Sequence, residues 1–134
     1  MAARALCLAL LLIVTACSTA PMPATVRERP NFTQVGLASW YGPDHQGLKT
    51  AAGERFDMRK LTAAHRTLPL DTVVRVTNIN NQRTVKVRIN DRGPYVRNRI
   101  IDLSLRAARA LDFGDDGTAR VRLEVFASDQ GGGN

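Results

Sequence analysis

Thr84-Val85-Lys86-Val87-Arg88-Ile89-Asn90-Asp91-Arg92-Gly93-Pro94-Tyr95 is the stretch on which the reading of the fold turns. Val85, Val87 and Ile89 alternate with Lys86, Arg88 and Asn90, a period of two that marks a half-buried strand with one face in a core. The same alternation carries Asp91 onto the apolar face, at a strand end that Gly93-Pro94 terminates. Upstream, Thr72 to Thr77 is a second strand, joined to the first through Asn78-Ile79-Asn80-Asn81-Gln82, a turn-rich hairpin connection. Downstream, Val121, Leu123 and Val125 alternate with Arg120, Arg122 and Glu124. One helix stands out between them: Ser104 is its N-cap, Leu105, Ala108 and Leu111 share a face, and Gly114 lies just past its end. Asp115-Asp116-Gly117 reads as a turn into the last strand, because the further spaced oxygen ligands of a calcium loop are missing. Many short strands with one helix make a mainly β chain, a small barrel.

The rest of the chain frames this domain. At 134 residues there is room for one core and no second independent one. Hydrophobic content of 44% and charged content of 23% exclude wholesale disorder. Both cysteines, Cys7 and Cys17, fall in the first 17 residues, which excludes a disulfide-stapled scaffold and a cysteine-rich zinc module. Arg4 followed by the apolar run Ala5 to Val14 is too short to span a bilayer but suits a secretory leader. Val14-Thr15-Ala16-Cys17 resembles the bacterial lipobox, so residues 1–16 are expected to be a lipoprotein signal peptide and Cys17 the lipidated first residue. The plainer alternative is a secretion signal cut after a small residue. Ser18, with no aspartate after the cysteine, points to an outer-membrane lipid anchor with the domain facing the periplasm. Residues 17–33, with Pro21, Pro23 and Pro30, read as a tether that at about 3 Å per residue reaches on the order of 45 Å. Residues 34–127 are the folded domain and 128–134 a flexible tail. The net charge of +7 fits a nucleic-acid partner, but the export signal does not, and no recognition motif is present.

Three stretches together resemble a known family: Gly36-Leu37-Ala38-Ser39-Trp40-Tyr41-Gly42, Leu61-Thr62-Ala63-Ala64-His65-Arg66-Thr67-Leu68-Pro69, and Val87 through Tyr95. With Arg99-Ile100-Ile101-Asp102-Leu103-Ser104 following in order, the chain resembles the rare lipoprotein A (RlpA) family of septal-ring lytic transglycosylases. The resemblance implies a six-stranded double-psi β-barrel. It implies an endo- or exo-acting lytic transglycosylase that cleaves the MurNAc–GlcNAc bond of peptidoglycan glycan strands and leaves 1,6-anhydro-MurNAc ends. Division-site proteins are further partners it suggests, and no cofactor is expected. The family's site residues fall on Glu54, in a Thr-Ala-x-Gly-Glu segment, on His65 and on Asp91. Two positions depart from the pattern: Ala52 stands where asparagine is usual, and Gln82 replaces a common turn glycine. The SPOR domain that many members carry is not among these residues.

The residues themselves leave alternatives open. Breaking a glycosidic bond needs a proton delivered to the leaving oxygen, normally by a carboxylic acid. Asp91 is the better acid by pattern, since an inward side chain loses solvent; the alternative is a carboxylate that orders the Asn90–Tyr95 turn. Glu54, in a polar loop after Gly53, is either functional or simply solvated. His65 follows Leu61 by four residues and shares its face if that stretch is helical, either as a core histidine or as a group that orients an acid. A metal site built on His45 and His65 is not expected, because no ligand spacing supports it. Among only seven aromatic residues, Trp40, Tyr41 and Tyr95, read as loop residues, are candidates to stack on sugar faces or, alternatively, to pack. Arg88, Arg92, Arg97 and Arg99 gather near the expected mouth, with Arg92 the foremost candidate to pair with wall carboxylates. The other reading of the whole is a non-catalytic peptidoglycan-binding lipoprotein of the same fold.

Overall fold

The structure is a computed structural model that describes residues 16–21 and 25–131. Most of the expected leader and the last three residues of the expected tail lie outside the described residues. Six strands, β1 (Phe32–Tyr41), β2 (Thr62–Ala64), β3 (Val73–Asn78), β4 (Thr84–Asp91), β5 (Arg99–Ser104) and β6 (Thr118–Val125), close into a barrel in the order β1-β5-β2-β4-β3-β6. Two neighbouring pairs, β1 with β5 and β2 with β4, are parallel; the other four are antiparallel. One helix, α1 (Leu105–Ala110), follows β5. No helix among the described residues is long and apolar enough to cross a membrane.

The core is what the period-two strands dictate. Val74 and Val76 of β3, Val87 and Ile89 of β4, and Val121 and Leu123 of β6 are all but fully buried, with Ile101 and Leu103 of β5 beside them. The helix adds Ala107 and Ala108 to this core, and Leu111, its C-cap, is buried with them. Ser104 caps it as expected, accepting the Ala107 N–H while its hydroxyl donates to the Lys60 carbonyl at 2.6 Å. The stop is not Gly114. The left-handed residue after the helix is Asp112, at φ 56°, and Gly114 opens a separate 3-10 turn. Gln82 likewise sits at φ 62° in the β3–β4 turn, the conformation a glycine adopts without strain.

Two strand bulges shape the functional end. Between β1 and β5 the register passes from Leu37↔Arg99 to Ala38↔Ile101, leaving Ile100 as the extra residue. Gly36 makes room for it: a Cβ there would lie 2.7 Å from Ile100 Cγ2. Between β2 and β4 the register passes from Ala63↔Ile89 to Ala64↔Asp91, so Asn90 is extra. A bulge re-aims the side chains that follow it. Asn90 therefore turns inward, at 1% exposure, and Asp91 emerges partly exposed instead of continuing the buried face of Val85, Val87 and Ile89.

The termini also differ from the sequence reading. β1 starts at Phe32, paired with Val125, so the chain joins the barrel before Gln34. Residues 128–130 do not hang free. Asp129 pairs with Arg75 at 2.6 Å and with Lys86 at 2.8 Å, and Gln130 both accepts from and donates to the Val73 backbone. These side chains find exposed polar partners on β3 and β4, which composition alone does not register.

Candidate active site

The loop after Thr50 is stitched to the bulged end of β4 through backbone groups. Ala52 N–H donates to the Asn90 carbonyl at 3.0 Å, and Ala51 N–H donates to Asp91 Oδ1 at 3.0 Å. Ala52 thus contributes through its backbone, while its side chain is exposed. This stitching brings Glu54 to β4. Glu54 Oε1 accepts from Arg88 Nη2 at 2.6 Å and from Asn90 Nδ2 at 2.9 Å. Burial by itself would raise its pKa, but the hydrogen bonds from Asn90 and Arg88, with the charges of Arg88 and Lys60, outweigh it and hold the carboxyl below its ordinary value. Glu54 is a charged, oriented carboxylate.

Asp91 is held in the same one-sided way. Its Oδ1 accepts the backbone N–H groups of Ala51 and Arg92, at 3.0 and 2.8 Å, while Oδ2 has no partner among the described residues. The two carboxylates therefore each fix one oxygen to the fold and leave the other available. Arg88 was expected only as one of the arginines near the mouth, and Asn90, which with it orients Glu54, was not among the expected site residues. The signal was present in the run of polar residues Asn90-Asp91-Arg92, which breaks the strand alternation.

His65 is close by but engaged elsewhere. The stretch that precedes it is β2, not a helix, and its side chain is 3% exposed. Nδ1 accepts the N–H groups of Thr67 and Leu68, both at 3.1 Å, so the ring proton sits on Nε2 and is donated to Gln34 Oε1 at 2.9 Å. Burial, with the charges of Arg66 and Arg92, pushes its pKa below the ordinary value, which keeps the ring neutral. His65 shapes the turn next to Asp91, whose carbonyl accepts the His65 backbone N–H at 3.1 Å. Arg92 braces the same turn, donating from Nη1 to the His65 and Leu68 carbonyls at 3.1 and 2.7 Å. It is part of the frame more than a free cation.

The aromatic candidates separate. Trp40 and Tyr41 lie in β1, not in a loop, and successive strand residues face opposite ways. Tyr41 packs against Phe56 and His45, with ring centroids 4.5 and 5.0 Å away, and its buried hydroxyl has no partner among the described residues. Burial and the charges of Asp91 and Asp102 push that hydroxyl's pKa up, so it stays protonated. Tyr41 lies within the influence of Asp91 and Asp102 but is not an open stacking surface. Trp40 turns away to α1, its indole N–H donating to the Gly114 carbonyl at 2.9 Å. Tyr95, 78% exposed just beyond Asp91, is free to stack. Asp102, unremarked in the sequence, accepts from Ser39 at 2.8 Å and from Arg99 at 3.2 Å.

A sequence model described as lytic transglycolase, a double-psi β-barrel domain, matches residues 33–123. The chain belongs to the RlpA family. It is 57% identical over 104 residues to the endolytic peptidoglycan transglycosylase RlpA of Campylobacter jejuni, a match covering 76% of this chain and 38% of that protein. It is 54% identical over 99 residues to that of Neisseria meningitidis serogroup A, covering 74% of this chain and 41% of the relative. The chain thus spans about two fifths of the length of these curated relatives. Among solved structures, Streptomyces papain inhibitor superposes with a TM-score of 0.58 at 23% identity, covering 72% of this chain and 96% of that one. An expansin from Clavibacter michiganensis superposes at 0.57 and 22%, covering 72% and 52%. At these identities both speak to the fold alone, and both agree with the six-stranded barrel.

Proposed function

We propose that this RlpA-family domain is a lytic transglycosylase acting within peptidoglycan glycan strands, with Asp91 and Glu54 as its working carboxylates. One observation carries the reading: two carboxylates from separate segments are drawn to one bulged strand end, each with one oxygen anchored and the other without a partner among the described residues. The names of the relatives support the substrate and the endolytic mode. Asp91 Oδ2 delivers a proton to the glycosidic oxygen as the bond from muramyl C1 breaks. Glu54, held negative by Arg88 and Asn90, faces the positive charge that develops on the ring. Asp91, now a carboxylate, takes the proton of the muramyl C6 hydroxyl as that oxygen closes on C1. The products are a 1,6-anhydro end and a free 4-hydroxyl, and no water is consumed. Tyr95 offers a stacking face, and Arg66 and Arg97, exposed near this turn, suit the lactyl carboxylates of peptide-free glycan.

The second reading is a binding protein of the same fold, and the two backbone N–H bonds of Asp91 favour it, because they suffice to explain an aspartate as a loop tie. Digestion of purified sacculi, intact and peptide-stripped, with mass spectrometry of the released sugars separates the readings. Anhydro-ended products support the transglycosylase, reducing ends indicate a hydrolase, and retained but uncut glycan indicates a binder.

The anchor is part of the same proposal. Cys17 is exposed, and residues 17–21 carry no helix or strand, which suits a lipidated cysteine on a tether at the outer membrane; nearer the barrel, Glu28 accepts the Ser128 N–H at 3.0 Å, so the chain is already tied to the domain there. Cys17→Ser is expected to release the protein from the membrane fraction; persistence there in a detergent-sensitive form contradicts the anchor.

A further inference from the structure

A cavity of about 420 Å³ opens beside α1, within the range of about 300–1,000 Å³ usual for small-molecule sites. It contains none of Glu54, His65 and Asp91. Trp40 forms one wall, pinned by its hydrogen bond to the Gly114 carbonyl. Gly42 leaves the space that ring needs, since a Cβ there would lie 2.9 Å from Trp40 Cζ3. Arg109 borders the opening, its stem passing Gly114, where a Cβ would lie 4.0 Å from Arg109 Cγ. Asp112, fixed at φ 56° after the helix, and Asp115, in the following 3-10 turn, line the same space. Although a cation and two anions share this cavity, Arg109 makes no ion pair or side-chain hydrogen bond with either aspartate.

We propose that this cavity is a second carbohydrate site, taking a pyranose that carries a carboxylate. The apolar face of the sugar lies on the Trp40 indole. Its carboxylate meets the Arg109 guanidinium, whose planar fork matches it. Its hydroxyls donate to Asp112 and Asp115, which repel the acid group and so fix which end enters where. The proposal extends the wall-glycan reading to a second place on the molecule, but it involves no bond cleavage.

Trp40 is the only tryptophan of the chain, so its fluorescence reports this cavity directly. The test is titration of the full chain with N-acetylmuramic acid and with N-acetylglucosamine, which lacks the lactyl carboxylate; neither has a glycosidic bond to cut. The expected result is a saturable change in Trp40 emission, about tenfold tighter for the acidic sugar. Arg109→Met, a change at an exposed position, should erase that preference, and Asp91→Asn should leave it intact. No saturable response, equal responses to the two sugars, or an undiminished preference in Arg109→Met overturns the proposal. Loss of the response in Asp91→Asn also overturns it, by moving the ligand to the carboxylate site. Glycan cleavage, measured separately, stands or falls independently of these outcomes.

Discussion

At Glu54, two donors on one oxygen decide the chemistry that remains for the other. Arg88 and Asn90 hold the carboxylate charged, so removing either contact should raise its pKa toward the ordinary value and beyond, given its partial burial. If charged Glu54 is needed in the transition state, the acid limb of the pH–rate profile should move to higher pH in Arg88→Met and Asn90→Ala, with activity partly recovered as pH rises. An unmoved limb contradicts that role. His65 makes a different forecast. With Nδ1 tied to the Thr67 and Leu68 N–H groups, His65→Ala strands two backbone donors and should cost about 2–3 kcal/mol in denaturant unfolding. Its pKa is lowered in the folded protein, so its contribution is complete above about pH 6.5 and fades as pH falls through the folded value. Family motifs alone single out Glu54, His65 and Asp91 as candidates. Their partners were not legible, because a hydrogen bond from Asn90 to Glu54 joins residues 36 positions apart and depends on a bulge that sequence periodicity does not encode.

Elements whose alternation is regular were read from the residues with nearly their final bounds: β3, β4, β6 and the capped start of α1. Those that escaped have a physical reason. β5, Arg99–Ser104, carries the extra residue Ile100, which breaks the period of two. β1, Phe32–Tyr41, includes Trp40 and Tyr41, and Gly36 within it and Gly42 just past it serve close approach, to Ile100 and to Trp40. Three-residue β2 is too short to show any period. The cap of α1 gives a clean test at this scale. Ser104 is fully buried and serves both the Ala107 N–H and the Lys60 carbonyl, so Ser104→Ala should destabilise by about 1–2 kcal/mol. In a domain of this size that lowers Tm by roughly 4–8 °C per kcal/mol. A Tm within a degree of the parent contradicts the cap.

For the whole molecule, the last described residues lock the barrel and the carboxylates define what it does. Asp129, 5% exposed between Arg75 and Lys86, has its pKa lowered to about 2 by hydrogen bonds from those two side chains and by their charges. That contribution is present above the ordinary aspartate value and is lost as pH falls toward about 2. Asp129→Asn should therefore be less stable than the parent at neutral pH, with the gap closing in acid; a gap constant across pH contradicts the ion-pair account. The central claim is that Asp91 Oδ2 moves the proton on which glycan cleavage depends. Asp91→Asn keeps an Oδ1 acceptor for the Ala51 and Arg92 N–H groups and removes the donor, so it separates shape from chemistry. The decisive measurement is the rate at which anhydro-ended products leave peptide-stripped glycan, parent against Asp91→Asn, with glycan retention and thermal melts recorded on the same samples. The account predicts a fall of about a hundredfold or more with retention and Tm preserved; a folded Asp91→Asn protein that releases anhydro ends at the parent rate contradicts it.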